Sequence, residues 1–194
     1  MRQQWRILLK QRRMGSIEIE VFNQEDYDKL REIVGEFVRD TVNRKLGIRS
    51  EKQHRYDKAY MKMAQAFAEL SYAERAKVGC VIVSPDGQII SQGYNGMPAG
   101  MDNRCEHEED GRLVSNKEVL HAESNAITKC AKWGGKTDGC TIYVTLSPCI
   151  DCAKLIVQSG IKRVVYGEKY RNTEGIELLS RIGIQVDYLN IEEL

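Results

Sequence analysis

Thr141-Ile-Tyr-Val-Thr-Leu-Ser-Pro-Cys-Ile-Asp-Cys-Ala-Lys-Leu-Ile-Val-Gln-Ser-Gly-Ile-Lys-Arg-Val-Val-Tyr166 reads as strand, helix and strand. The β-rich runs Thr141–Thr145 and Lys162–Tyr166 bracket a helical segment, Pro148–Ser159. A helix between two strands is the crossover that joins parallel neighbours. Working outward, a helix is expected upstream over Leu120–Trp133, and a further helix (Glu174–Ile182) and strand (Ile184–Leu189) downstream. Val78–Ser84 and Gln88–Tyr94 are short β-rich runs around Pro85-Asp86-Gly87, a hairpin turn. The five strands predict an α/β protein, a three-layer α/β/α sandwich around a central mixed sheet.

Ahead of the hairpin, Tyr56–Ser71 reads as a helix with Tyr60, Met63, Ala64, Phe67 and Leu70 inward. Between Asn95 and Lys117 the chain is glycine-rich and polar, which predicts a long loop of the kind that shapes sites. Residues 1–54 carry no chemical motif and form an N-terminal extension, with residues 55–194 as the main domain. In the extension, Tyr27, Leu30, Val34, Phe37, Val38, Thr41 and Val42 trace a helical stripe over Glu25–Leu46, and Gly47 suits the position after its end. Met1–Gly15 is basic, with Trp5, Ile7, Leu8 and Leu9 interspersed. It lacks the apolar core and cleavage site of a secretory signal, so it reads as a solvated or subunit-contacting extension, with a membrane-surface or organelle-targeting segment as the alternative.

The chain has 194 residues, 42% of them hydrophobic, enough for a single core plus an appendage. Formal net charge is +1. Proteins that track along polynucleotides usually carry a basic surplus, so the balance favours a small substrate and no polynucleotide partner. Aromatic residues are only 7%, too few to suggest a platform for stacking several bases. No run of about 20 apolar residues exists to span a membrane. Six cysteines at irregular spacing do not make a secreted disulfide framework, and a reducing cytoplasm, the cell's own or a host's, is the expected compartment.

Two clusters carry chemistry: His121-Ala122-Glu123 and Pro148-Cys149-Ile150-Asp151-Cys152. Each opens a predicted helix, and the helix and strand between them return the chain to the same sheet edge. Cys149 and Cys152 share one helical face, where exposed amides favour the thiolates that zinc needs. His121 adds a neutral nitrogen. Three such ligands suit Zn2+ and leave a fourth position for water, as in catalytic zinc sites. Glu123 is then free to act as the acid/base beside that water. One geometric condition attaches: positions i and i+2 of a regular helix point about 200° apart, so His121 and Glu123 can share a pocket only at the helix mouth.

His-x-Glu followed by Pro-Cys-x-x-Cys is the signature of the zinc nucleobase deaminases. With Val78-Gly-Cys-Val-Ile-Val, Gly93-Tyr-Asn-Gly-Met-Pro-Ala-Gly100, His121-Ala-Glu-Ser-Asn-Ala126 and Thr145-Leu-Ser-Pro-Cys-Ile-Asp-Cys152, the stretch from Tyr56 to Asn190 resembles the deoxycytidylate deaminases of the zinc-dependent cytidine/deoxycytidylate deaminase superfamily. The resemblance implies a cytidine-deaminase-like fold and hydrolysis of dCMP to dUMP and ammonia by a zinc-activated hydroxide. Its implied roles are His121, Cys149 and Cys152 as zinc ligands and Glu123 as the proton carrier. The amide of Ala122 would hold the base carbonyl, the carbonyl of Ser147 the departing amine, and Asn95 the sugar 3′-hydroxyl. Arg75, Tyr170 and Arg171 would surround the 5′-phosphate, since arginine forks and a tyrosine hydroxyl suit phosphate oxygens. The family is often activated by dCTP and inhibited by dTTP between subunits of a homo-oligomer, commonly a hexamer. Asn95, Gly96 and Gly100 match the loop that binds those regulators, and Mg2+ would accompany the triphosphate. Residues 1–54 have no counterpart in this resemblance.

Other readings stay open at this level. The zinc motif also fits a deaminase of a free nucleoside, of another cytosine or adenine substrate, or of tRNA. A zinc-stabilised interaction module would require a fourth protein ligand, for which Cys105, His107 and Cys130 are candidates. Cys105-Glu106-His107 reads either as part of a second, structural metal site or as a solvated acidic loop. Cys80, Cys130 and Cys140 read as small buried hydrophobes. His54 reads as surface, and Trp133 as closing its helix against the core.

Overall fold

Val81, Val83, Tyr143 and Val165 pack on one face of a sheet, and Cys80, Ile82, Ile142, Val144 and Val164 on the other. This alternation of successive residues is what a strand buried on both faces requires. The computed structural model describes residues 10–11, 17–18, 25, 28–30, 32–35 and 50–191. The chain divides into two compact units, Met1–His54 and Arg55–Leu194. In the first, β1 (Lys10–Gln11) pairs antiparallel with β2 (Ile17–Glu18). Residues 25, 28–30 and 32–35 are helical, with a Lys29–Glu25 ion pair at 2.8 Å. The remainder of the helix expected over Glu25–Leu46, Gly47, and the basic start apart from residues 10–11 lie outside the described residues.

From α1 (Glu51–Ala68) the chain runs through β3 (Gly79–Val83), β4 (Ile89–Tyr94), β5 (Glu106–Glu109) and β6 (Arg112–Ser115). It continues as α2 (Ala122–Lys132), β7 (Thr141–Leu146), α3 (Ile150–Gln158), β8 (Arg163–Glu168), α4 (Glu174–Ile182) and β9 (Gln185–Tyr188). The five-stranded sheet has the order β4-β3-β7-β8-β9. β3 is antiparallel to both β4 and β7, whereas β7, β8 and β9 are parallel and joined by the helical crossovers α3 and α4. Ala122 and Ala126 of α2, Ala153 and Ile156 of α3, and Leu179 of α4 cover one face. Met61 and Ala64 of α1 cover the other. The expected three-layer α/β/α sandwich with a mixed sheet is what forms.

The structure corrects three sequence readings. Helix α1 begins at Glu51, ahead of Tyr56, and its buried residues are Asp57, Met61, Ala64 and Ala68. Met63 and Leu70, expected inward, are exposed. The buried stripe contains a carboxylate that a count of apolar residues misses. Arg163 holds Asp57 through two bonds of 2.8 Å, and Tyr143 Oη donates a third at 2.8 Å. Second, the expected loop Asn95–Lys117 contains the β5–β6 hairpin, turned by Asp110 (φ 51°) and Gly111 (φ 71°). Third, Trp133 is 83% exposed, outside the core. Cys80, Cys130 and Cys140 are buried, as expected.

Candidate active site and metal centre

Two glycines dock the chemistry-bearing helix starts onto the fold. Gly93 of β4 lies so close to α2 that a Cβ there would collide with the Ala122 carbonyl oxygen. Gly175 of α4 packs equally tightly on the Pro148 carbonyl. Paired bonds between Gly96 and Leu120 (3.1 and 2.9 Å) fix the residue before His121. Asn125 Nδ2 donates to the Tyr94 carbonyl at 2.8 Å. On the other side, Ser147 N donates to the Glu168 carbonyl (2.8 Å), and Tyr170 N donates to Ser147 Oγ (2.7 Å).

His121 and Cys149 are the N-cap residues of α2 and α3, both with extended backbone (φ −75°, ψ 156° and φ −72°, ψ 172°). This meets the geometric condition set by the sequence. His121 stands outside the helix and Glu123 within its first turn, so the two need not diverge as they would mid-helix. His121 Nδ1 lies 3.4 Å from Cys149 Sγ and 3.3 Å from Cys152 Sγ. The ligand atoms of the three residues all fall within 4.8 Å of one another. Bonds of ~2.0 Å to nitrogen and ~2.3 Å to sulfur in a tetrahedral shell separate such ligands by about 3.5 Å, so the donor set fits zinc in chemistry and spacing. Among the described residues no fourth His, Cys, Asp or Glu joins this group, and no second group of three forms around Cys105 and His107.

The electrostatics suit a cation. The Cys149 thiol is pulled down to about 4, first by the hydrogen bond from Cys152 and then by that from His121. Cys152 is pushed up, first by that same bond to Cys149 and then by burial. His121 is raised chiefly by its bond to Cys149. Glu123 is 3% exposed, and burial pushes its carboxyl above the ordinary range. Burial of this kind favours the protonated carboxyl over the carboxylate, which suits a group that passes protons.

A cavity of about 370 Å³ opens over this group. Its lining includes Arg75, Asn95, Ala122, Ser147 and Tyr170 together with His121, Glu123 and Cys149. Asn95 is braced at both ends of its amide: Oδ1 accepts from Val78 N and Nδ2 donates to the Ala76 carbonyl, both at 2.8 Å. Arg171 does not line the cavity; its guanidinium sits 5.7 Å from the centre of the Tyr170 ring. Gly96 bridges to Leu120, and Gly100 has φ 92° with open space around it; neither lines the cavity. The sequence reading missed Glu106, Ser115, Asn116 and Lys117, all from the hairpin region and all cavity-lining. The dipeptide Asp110-Gly111, the strongest short signal for a two-residue hairpin turn, could have revealed that hairpin.

A family profile described as the cytidine and deoxycytidylate deaminase zinc-binding region matches residues 54–168. ComE operon protein 2 of Bacillus subtilis is 38% identical over 143 residues, covering 72% of this chain and 74% of that protein. The deoxycytidylate deaminase of Enterobacteria phage T4 is 40% identical over 150 residues, covering 57% of this chain and 77% of the phage protein. Among solved structures, the dCMP deaminase of cyanophage S-TIM5 in complex with dCMP and dUMP superposes with a TM-score of 0.65 at 43% identity, covering 70% of this chain and 97% of that one. With the two motifs converging on one zinc-compatible cluster, the chain belongs to the cytidine and deoxycytidylate deaminase family.

Proposed function

We propose that the protein hydrolyses dCMP to dUMP and ammonia. The observation that carries this reading is Glu123, buried beside a three-ligand zinc centre in a cavity that also contains cationic residues. The likeness to the S-TIM5 dCMP deaminase supports the choice of substrate. Zinc held by His121, Cys149 and Cys152 would supply a water acidified to a pKa of about 7. Glu123 would take up a proton from water and pass it to N3 of the base, matching the addition of the water oxygen at C4. It then carries the second proton to the departing amine, so the C4–N bond breaks, ammonia leaves, and the oxygen from water stays as the C4 carbonyl. The Ala122 amide orients the base through its carbonyl, and the Ser147 carbonyl accepts from the amine. Asn95 Oδ1, already accepting from Val78 N, has a second lone pair for the 3′-hydroxyl. Arg75, Lys117 and Tyr170 face the 5′-phosphate, with Arg171 adding charge from behind the Tyr170 ring.

The reading extends to regulation and assembly. The segment Asn95–Gly100, with Asn95, Gly96 and Gly100, binds dCTP or dTTP with Mg2+ between subunits of a homo-oligomer, a hexamer by family resemblance. Residues 1–54 are an appendage to the deaminase domain, 55–194. A cytoplasmic setting follows from the thiolate ligands, which a reducing compartment preserves. No described helix is long and apolar enough to cross a membrane.

Ammonia release from dCMP, CMP, deoxycytidine and an RNA hairpin, each with and without dCTP, tests this. dCMP should be consumed fastest and dCTP should raise its rate. Preferential turnover of the hairpin or of deoxycytidine would replace the reading with a tRNA or free-nucleoside deaminase.

A further inference from the structure

Glu106 is an anomaly in its strand. His107, Glu108 and Glu109 are exposed, yet Glu106 is 6% exposed. A buried carboxylate is costly unless hydrogen bonds satisfy it. Its two oxygens accept from the backbone amides of Glu74 (3.2 Å) and Arg75 (3.4 Å). The residue opposite Glu106 in the antiparallel hairpin is Ser115. Facing residues in such a pair put their side chains on the same side. Ser115 Oγ accepts from Arg75 Nη1 at 3.1 Å. The two members of one rung therefore grip the same arginine, Glu106 by its backbone and Ser115 by its head. Arg75 itself lies in an irregular segment between α1 and β3, where no helix or strand ladder fixes it. All three residues line the cavity.

We infer that the Glu106–Ser115 rung is a positioning device that holds Arg75 in place to receive a phosphate group on the substrate. This rests on the reading of Arg75 as a phosphate ligand given above. A long arginine side chain ordinarily loses much rotamer freedom on binding, and one held beforehand loses less. Ser115 occupies one donor of the guanidinium and leaves the others for phosphate oxygens. The β5–β6 hairpin thus contributes to discrimination between nucleotide and nucleoside without Glu106 needing to touch either.

The test uses the zinc-loaded full chain and the variants Ser115→Ala, Ser115→Thr, Glu106→Gln, Arg75→Ala and the double variant Arg75→Ala/Ser115→Ala. KM and kcat are measured for dCMP, and inhibition constants for dUMP and deoxyuridine. Ser115→Ala should raise the dCMP KM and the dUMP inhibition constant by roughly three- to tenfold, the scale of one lost hydrogen bond. The kcat should stay within about twofold, since the reacting atoms are untouched. Deoxyuridine inhibition should not change, Ser115→Thr should restore the wild-type constants, and Ser115→Ala should add nothing in the Arg75→Ala background. Equal weakening of dUMP and deoxyuridine, or additive losses in the double variant, would overturn the inference. So would Ser115→Ala and Glu106→Gln that bind dUMP normally while Arg75→Ala does not. If Arg75→Ala itself leaves the dUMP-to-deoxyuridine ratio unchanged, the phosphate reading of Arg75 fails first, a result distinct from failure of the rung. Should Glu106→Gln not fold, exposed Ser115 decides the matter alone.

Discussion

At the scale of single residues, the division of labour turns on which acidic group stays out of the metal shell. Glu123 sits beside the ligand cluster without belonging to it. Its raised pKa comes first from burial. Replacing it by glutamine keeps the volume and removes the titratable carboxyl. Glu123→Gln should therefore lower kcat by on the order of 10²–10⁴ or more while metal analysis still finds one zinc per chain. Loss of zinc in step with activity would show instead that Glu123 is a ligand. This part of the site was legible in the sequence because each motif is local: His-x-Glu and Cys-x-x-Cys declare their chemistry within a few residues. Further along the cavity the lining comes from separated segments: Arg75 and Tyr170 are reached from the sequence only through the family resemblance, and Lys117 escapes it because the β5–β6 hairpin just ahead of it reads as a loop.

At the scale of elements, strand periodicity and crossover order predicted the sheet correctly, since a strand buried on both faces writes its pattern in Val, Ile and Tyr. Helix α1 shows where that method fails. Its inward face passes through Asp57, fully buried and joined to Arg163 of β8, while Arg163 Nε also donates to Asp187 of β9 at 2.7 Å. Hydropathy treats such a residue as outward, so the expected stripe omits Asp57 and Met61 and includes exposed Met63 and Leu70, while its Tyr60, Ala64 and Phe67 do pack on the core. The acid-rich strand β5 fails the same test for the opposite reason, because three of its four residues face water. The Asp57–Arg163 pair ties α1 to the sheet on the face away from the zinc ligands. Asp57→Ala leaves part-buried Arg163 with Asp187 alone and the Tyr143 hydroxyl without its acceptor, and should cost on the order of 2–3 kcal/mol in urea unfolding. Zinc content and dCMP KM should hold in the folded fraction. A shift in either would mean that this pair supports the site directly.

At the scale of the whole molecule, the zinc ligands link the starts of two helices on the same face of the sheet, α2 and α3. An ion bound only by the folded arrangement stabilises it by mass action, so removing zinc with a chelator should lower the thermal midpoint by several degrees or more. Restoring zinc should recover both midpoint and turnover. An unchanged midpoint would mean that the two helix starts are held together without the metal. The choice of probe for that melting experiment follows from Trp133. Its indole is 83% exposed in the folded protein, with the Lys132 ammonium 5.9 Å from its ring. Its emission would therefore start near the long-wavelength limit and shift little as the chain unravels, leaving Trp5 to carry any change in tryptophan fluorescence, so circular dichroism or calorimetry is the better monitor.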